Sequence, residues 1–323
     1  MLRIALAGAG FMGMTHAARW AEQDDVQVIG VFSRSAERAH ALADRVGARA
    51  LTDLDALLAL DADAVDICLP TDQHCRCALR ALALGRHVVC EKPIALTVRD
   101  GRRMVAAARQ AGRLLLVAHV VRFWPEYAHL RTLLAEGAIG RPTSAVAWRL
   151  QEGPGWVPDP DARRTHSGGP VVDLQIHDDD YLTWLFGDPR QVAAWGSERH
   201  VHAMLRFEGD VTATAEAACD LPAGYPFTSY VRVRGEQGVL EYLFRAGGVR
   251  PDQEAGRTSE LLHHRPGQPA TRIDVPSADP YGAQIRHFAA CLRQGAPSPV
   301  IDAHDAIRAL RTALRIRAAL DAG

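Results

Sequence analysis

The chain has 323 residues, and its 37 basic and 38 acidic side chains give a formal net charge of -1. Balanced charge and a pI near 6.9 provide no electrostatic footprint for DNA, RNA or an anionic membrane surface. A chain of this length exceeds what one hydrophobic core usually serves, so we expect two domains.

Six cysteines and an apolar start raise the question of secretion. Residues 1–10 run directly into a glycine motif, with no signal-peptide cleavage site between them. The apolar run from Leu114 to Ala118 falls far short of the roughly 20 residues that a membrane helix requires. We therefore expect a cytoplasmic protein with free, buried thiols and no membrane association.

The first predicted strand, Leu2 to Ala7, leads into a GxGxxG motif and a helix pattern. This order indicates a dinucleotide-binding turn. Gly8 permits the turn, Gly10 lets the backbone approach a pyrophosphate, and Gly13 allows close packing of helix on strand. The alternative is a glycine-rich turn without a nucleotide. The predicted cofactor contacts in this motif are Gly8, Gly10, Phe11, Met12 and Gly13.

The second strand, Val26 to Phe32, is followed by a serine and two arginines. NAD enzymes usually carry an acidic residue here for the ribose hydroxyls, whereas arginine accommodates the 2'-phosphate of NADP. Ser33, Arg34 and Arg38 are therefore predicted to favour NADP(H) over NAD(H). The alternative is that both arginines are exposed residues at a helix start.

Strand and helix patterns continue to alternate as far as residue 118, which predicts a doubly wound parallel sheet. The next strands and helices are predicted at 65–69, 73–84, 98–111 and 114–118, with one more strand leading to Lys92. Residues that follow these strands are candidate cofactor contacts, because ligands bind beyond the carboxyl ends of parallel strands. They are Pro70, Thr71, His74, Glu91 and Lys92.

Lys92 is the only lysine, so the other 36 of the 37 basic residues are arginine. A lysine retained against this bias indicates a task that arginine cannot perform, because the pKa of an ammonium moves readily on burial while a guanidinium stays protonated. The alternative is a stray surface residue. Its position argues otherwise, since the apolar run before it predicts a buried strand that Pro93 ends.

No metal site is predicted. On a helix, Cys75 and Cys77 do not face each other. The pairs His200 with His202 and His263 with His264 lack convergent cysteine or carboxylate ligands at zinc spacing.

The pattern changes after residue 122, so we expect a dinucleotide-binding domain at 1–122 and a second, α+β domain at 123–323. A helix is predicted at about 126–136. Alternating strands separated by short turns predict an antiparallel meander within a mainly antiparallel, open sheet, one face of which could receive a partner subunit. These strands are predicted at 143–151, 201–207, 211–219, 230–234 and 239–244.

The segment that follows the predicted glycine turn at Gly168 and Gly169 carries several polar side chains on one predicted face. If it is helical from about Pro170, then Asp173, His177 and Asp180 share one face and apolar residues line another. The alternative is a solvated polar stripe. Oxidation of an alcohol requires a base for the hydroxyl proton and a cation near the oxygen. His177 suits the first role, Lys92 the second, and Asp173 would orient one of them.

These residues together resemble the glucose-fructose oxidoreductase and inositol dehydrogenase family over nearly the whole chain. The resemblance lies in the glycine motif, His74, Glu91-Lys92-Pro93, and the segment from Gly168 through Asp173 to His177. It implies a Rossmann domain joined to an open-sheet domain, and NAD(P)-dependent redox chemistry on sugars, polyols or cyclic alcohols. It also implies Lys92, Asp173 and His177 as the catalytic set, and a homodimer or homotetramer formed through the sheet.

Departures from the family pattern concern the pocket. Gln175 and Pro170 stand where glycine is common, and His119 stands where small or amide residues are common, before a familiar Arg122. The expected substrate contacts are Lys92, His119, Arg122, Trp156, Arg164, Asp173 and His177. Two other functions stay open: an NAD-dependent glycosidase that uses transient oxidation, and a cofactor-sensing regulator without turnover.

Overall fold

A computed structural model describes residues 1–153, 166–248 and 256–322. The predicted contacts Trp156 and Arg164 lie outside these ranges. The chain forms two compact units. The first combines Met1–Phe123 with Ala278–Ile307, and the second combines Trp124–Ser277 with Arg308–Gly323.

The domain prediction differs from this division in one respect. Its break after residue 122 lies one residue from the observed break, but it assigned all later residues to the second domain. Residues 278–307 instead belong to the first unit. The reason is packing, since this segment supplies apolar side chains to the first unit's core.

The first unit contains the doubly wound parallel sheet that the alternation predicts. Its strands are β1 (Leu2–Ala7), β2 (Val26–Phe32), β3 (Arg49–Leu51), β4 (Ala64–Ile67), β5 (His87–Glu91) and β6 (Leu115–Ala118). Its helices are α1 (Phe11–Ala21), α2 (Ala36–Val46), α3 (Leu54–Leu58), α4 (His74–Ala83) and α5 (Val98–Ala111). All pairings are parallel in the order β3-β2-β1-β4-β5-β6. The strand order reverses between β1 and β4, the position where this architecture binds ligands.

The central strands β1 and β5 are apolar in their middle residues because both faces of the sheet are covered. Residues 4–7 of β1 and 88–90 of β5 are fully buried. β5 ends at Glu91, and the Lys92–Pro93 peptide bond that follows is cis. The chain therefore leaves the sheet at Lys92, at the carboxyl edge.

A helix late in the chain, α8 (Pro280–Gln294), completes the first unit by packing on α1. Ile285 and Phe288 are fully buried in one cluster with Trp20. The rings of Phe123 and Phe288 meet edge to face at 5.9 Å. This burial fixes residues that lie more than 250 positions apart in the chain.

The second unit has an eight-stranded sheet in the order β14-β13-β12-β11-β7-β10-β9-β8. The strands are β7 (Pro142–Glu152), β8 (Gln191–Gly196), β9 (His200–Arg206), β10 (Thr212–Leu221), β11 (Thr228–Gly235), β12 (Val239–Arg245), β13 (Thr258–His264) and β14 (Thr271–Ile273). The expectation of a mainly antiparallel sheet is confirmed, but a simple meander was wrong. β7 lies between β10 and β11, and it pairs with β10 in parallel.

Helices α6 (Pro125–Ala135), α7 (Ile176–Phe186) and α9 (Ala303–Ala322) complete the architecture. The ring of Tyr127 on α6 meets that of Tyr181 on α7 at 4.7 Å and that of Tyr242 on β12 at 5.2 Å. These aromatic contacts hold both helices in the second unit's core. Within the described residues, no helix is both long and apolar enough to cross a membrane.

Candidate active site

The glycine loop has the close contacts that its motif predicts. Gly8 has a φ of 122°, and a side chain there would collide with the carbonyl of Cys68. A side chain at Gly13 would in turn collide with the carbonyl of Gly8. The two glycines therefore let α1 approach β1 and β4 at van der Waals distance.

Gly10 differs from its two neighbours in the motif. It is exposed, its φ of -85° suits any residue, and a Cβ there would meet no described atom within 4 Å. It also precedes α1 without providing a side-chain cap, whereas Ser35, Asp53 and Thr97 each cap the helix that they precede. Open backbone at a helix N-terminus fits a phosphate group. Phe11 is exposed and Met12 half-buried beside it.

The end of β2 presents the predicted arginines. Ser33 donates its backbone N–H to Leu51, and its hydroxyl accepts the N–H of Ser35, which ties the turn down. Arg34 and Arg38 are exposed, and neither pairs with an acidic group among the residues that the structure describes. Two uncompensated guanidiniums beyond β2 fit the phosphate that distinguishes NADP from NAD.

Lys92 is half-buried directly beyond β5. The backbone N–H of Lys92 donates to Oε2 of Glu91 at 3.0 Å. The side chain of Glu91 is itself buried, with 7% of the residue exposed. Only β4 lies between β1 and β5, so these two strands are two strand spacings apart, which is roughly 10 Å at about 4.8 Å per spacing. Lys92 and the glycine loop therefore share one edge of the sheet.

The side chain of His74 lies against two backbone carbonyls, contrary to the expectation that it contacts the cofactor. It is 1% exposed, and its ring nitrogens lie 2.9 Å from the carbonyl of Pro93 and 2.8 Å from that of Leu69. Burial lowers the pKa of His74. A neutral ring donates to one of these carbonyls at a time, and in either case both nitrogens face protein. Pro70 is exposed and Thr71 buried in the turn before α4.

Arg122 also differs from its predicted role as a substrate contact. Its side chain is fully buried in the first unit and donates to the carbonyl of Val300 at 2.9 Å and to Asp305 at 2.8 Å. Its physical role is to anchor the late segment of the chain. His119 is likewise buried, at 1% exposure.

Asp173 and His177 are half-buried, and a π turn over Val171–Gln175 precedes α7. Such turns are frequent at functional sites. The predicted polar face of this helix differs from the expectation at Asp180, which is fully buried. The apolar side is as predicted, with Leu174, Tyr181 and Leu182 buried.

A buried ion pair next to His177 escaped the sequence analysis. Arg149 on β7 donates to both carboxylate oxygens of Asp178 at 2.8 and 2.9 Å, with side chains 3% and 2% exposed. Burial opposes the charge, but Asp178 outweighs it and raises the pKa of Arg149. The pair fixes the first turn of α7, because it ties that turn to the centre of the sheet.

The expectation that no carboxylate lies close to the pair of His200 and His202 was wrong. Glu216 pairs with His202 across β10 and β9, and its Oε1 lies 2.8 Å from Nε2 of His200. Strand pairing, which spacing within one segment does not reveal, brings these groups together. All six cysteines are free, as expected.

A parallel sheet with a nucleotide-binding loop, followed along the chain by a mostly antiparallel open sheet, defines a two-domain Rossmann-type protein. Residues 2–119 match the profile of the oxidoreductase family with an NAD-binding Rossmann fold, and residues 127–241 match the GFO/IDH/MocA C-terminal domain. The chain belongs to the GFO/IDH/MocA family of oxidoreductases.

Individual relatives agree with this assignment. An inositol 2-dehydrogenase from Acidothermus cellulolyticus is 31% identical over 74% of this chain and 72% of its own length. A 1,5-anhydro-D-fructose reductase from Ensifer adhaerens is 34% identical over 58% of this chain, and the match spans only 60% of the reductase. The structure of a UDP-N-acetylglucosamine 3-dehydrogenase from Acidithiobacillus ferrooxidans superposes with a TM-score of 0.82 at 25% identity, covering 99% of this chain and 98% of that one.

Proposed function

We propose that the protein is an NAD(P)-dependent oxidoreductase that transfers hydride between the nicotinamide and a sugar, polyol or related cyclic alcohol or ketone, with NADP(H) preferred. The observation that carries this proposal is the position of the only lysine, half-buried at the sheet edge that also bears the glycine loop. Relatives named as dehydrogenases and reductases of sugars and inositol support the substrate class. A cytoplasmic location is part of the proposal.

The cofactor is held by this chain's backbone and arginines. Gly8, Gly10 and Gly13 shape the loop for the pyrophosphate, and Arg34 and Arg38 bind the 2'-phosphate. The bound nicotinamide supplies the hydride acceptor or donor.

The proton is handled by side chains. In the oxidation direction, the alcohol loses hydride from carbon and a proton from oxygen, and His177 accepts that proton. The ammonium of Lys92 donates a hydrogen bond to the oxygen, stabilises its developing negative charge and can relay the proton to His177. Asp173 orients one of these two groups, and reduction of a ketone uses the same groups in reverse.

A screen of sugars and cyclic polyols with NADP+ and NAD+, followed at 340 nm, tests the proposed activity. We expect oxidation of at least one polyol or sugar, with reduced nucleotide formed in equal amount to ketone or lactone. Sugar release from glycosides with nucleotide retained through purification would instead indicate the glycosidase mechanism. Failure to bind any nicotinamide nucleotide would contradict both.

We expect substitutions of two glycines in the loop to differ in their effects on stability and on NADPH affinity. Gly10→Ala should leave stability within about 0.5 kcal/mol, because its Cβ meets no described atom, yet lower NADPH affinity at least about tenfold by blocking the phosphate. Gly13→Ala should lower stability by about 1–3 kcal/mol, because its Cβ collides with backbone. Urea denaturation and NADPH fluorescence titration measure the two effects. Unchanged NADPH affinity in Gly10→Ala would contradict the assigned phosphate position.

Cofactor preference depends on Arg34. Arg34→Ala should lower kcat/KM for NADP+ by about tenfold to a hundredfold, the value of one charge-assisted hydrogen bond, and change that for NAD+ little. Arg45→Ala, which removes an exposed arginine at the other end of α2, is the control. A wild-type preference for NAD+ would refute the assignment.

The open sheet is proposed as the surface of a homodimer or homotetramer. On its outer face Trp148, Trp195 and Met204 are 37%, 58% and 49% exposed, which is unusual for such side chains on one face. Trp195→Glu should shift the mass in sedimentation toward monomer. Leu84→Glu, which alters an equally exposed apolar residue of the first unit, should not. A wild-type monomer would contradict this part of the proposal.

A further inference from the structure

A buried group of polar side chains lies behind Lys92, and the proposed chemistry does not use it. His16 on α1 is fully buried, with Nδ1 2.9 Å from Oδ2 of Asp66 on β4. Its other nitrogen, Nε2, lies 3.1 Å from Oε1 of Glu91. Because Oε2 of Glu91 accepts the backbone N–H of Lys92, a continuous path runs from Asp66 through His16 and Glu91 to Lys92.

The charges in this path support one another. Burial disfavours a charged imidazole, but the nearby Asp66 carboxylate outweighs burial and raises the pKa of His16 well above its ordinary value. The protonated ring is therefore favoured, and it lies between the carboxylates of Asp66 and Glu91. An imidazolium between two carboxylates holds each at a defined position, since a buried carboxylate without a partner is strongly unfavourable.

A metal ion is a poorer explanation of this cluster. Asp66 already receives the indole N–H of Trp20 at 2.7 Å as well as the His16 ring. Cys68 lies 3.4 Å from Nδ1 of His16, and burial raises the pKa of its thiol to about 12, which disfavours the thiolate that metals require. The donor atoms are thus engaged with one another.

We infer that His16 and Glu91 are positioning residues, which fix the backbone of Lys92 through the Glu91 carboxylate and thereby aim its side chain. The inference rests on the proposed role of Lys92 in catalysis. Its physical content is that a hydrogen bond to the Lys92 amide removes backbone freedom at the residue whose ammonium must reach the substrate oxygen. Asp66 acts one step further away, by holding His16.

The single lysine makes a direct test possible without any substrate. Protein labelled only with 15N-lysine gives one backbone amide resonance, that of Lys92. Hydrogen exchange at this amide should be about tenfold faster in Glu91→Ala and clearly faster in His16→Gln, since one hydrogen bond of ordinary strength is lost. Glu91→Gln keeps a carbonyl acceptor and should retain most of the protection.

The control is Asp305→Asn, which disturbs the buried Arg122 in the same unit and has no part in the path. It should leave Lys92 exchange unchanged after correction for its own loss of stability. Equal acceleration in Asp305→Asn and Glu91→Ala would show general loosening and overturn the inference. Unchanged exchange in both Glu91→Ala and His16→Gln would overturn it as well.

A double-mutant cycle connects positioning to turnover. Glu91→Ala should lower kcat about tenfold in the wild-type background, with NADPH affinity kept, and have no effect in a Lys92→Ala background, because it acts through Lys92. If Lys92→Ala itself leaves kcat unchanged, the proposed function fails. If Lys92→Ala strongly lowers kcat but Glu91→Ala lowers the remaining kcat by the same factor as in the wild-type background, only the positioning inference fails.

Discussion

Turnover of Lys92→Arg is expected to fall by about a thousandfold while NADPH binding survives. The substitution keeps the positive charge but replaces a compact ammonium with a planar group that is always protonated, so it can neither pass a proton nor occupy the same point. Loss of a positioned acid or base typically lowers the rate by about a hundredfold to ten-thousandfold. NADPH affinity should change less than threefold, since the glycine loop and Arg34 provide the phosphate contacts.

Steady-state kinetics with the best substrate of the polyol screen, together with NADPH titration, measures both quantities. The control is Arg102→Lys, the reverse substitution at an exposed position of α5, which should match wild type in turnover and in NADPH affinity. Turnover within threefold of wild type in Lys92→Arg would eliminate the proposed mechanism. A parallel loss of NADPH affinity would assign Lys92 to binding instead.

The largest effect on stability is expected at the ion pair of Arg149 and Asp178. Asp178→Asn removes one buried charge and leaves the Arg149 guanidinium 3% exposed without its bidentate partner. Breaking one side of a buried pair costs about 3–5 kcal/mol. Replacing both residues together, as Arg149→Met with Asp178→Leu, should recover most of that loss because no charge remains buried.

Urea denaturation followed by near-UV circular dichroism measures these free energies. The control is Glu236→Gln, which breaks the exposed pair with Arg141 and should cost at most about 1 kcal/mol. A loss in Asp178→Asn no larger than in Glu236→Gln would mean that the buried pair contributes nothing. A double variant less stable than Asp178→Asn would attribute the effect to packing instead.

The first unit followed from the sequence because its signals are local. The glycines of the loop and the apolar run before Lys92 each act within about ten residues, and both have the predicted structure. α8 has no such signal for its location. Its burial depends on Trp20, which no local pattern connects to Phe288.

The second unit was harder for the same physical reason. The alternation of five strands was visible, but β8, β13 and β14 were not predicted, and which strands become neighbours depends on pairing between distant segments. The parallel pairing of β7 with β10 therefore could not be predicted. The contact between Glu216 and His200 crosses the antiparallel pair of β9 and β10, and it depends on the register of those two strands. The burial of Asp178 opposite Arg149 escaped for the same reason.

The candidate site residues form two groups, one at the exposed edge of the sheet and one buried in the protein. Lys92 and Arg34 follow strand ends and lie at the edge of the parallel sheet, where their positions agree with the prediction because topology exposes that edge. His74 and Arg122 have the same polar chemistry, but tertiary packing turns them toward backbone carbonyls and Asp305. Residue type alone does not distinguish a polar group that binds a ligand from one that supports the backbone.

The late position of α8 has a consequence for biosynthesis. All of Trp124–Ser277 is translated between the two parts of the first unit, a delay of roughly 10–30 s at about 5–20 residues per second. Until Ile285 and Phe288 emerge from the ribosome, the nascent sheet keeps the apolar surface around Trp20 uncovered. The first unit is therefore translated in two parts that are separated by most of the second unit, and a fragment ending at Phe123 lacks part of its core.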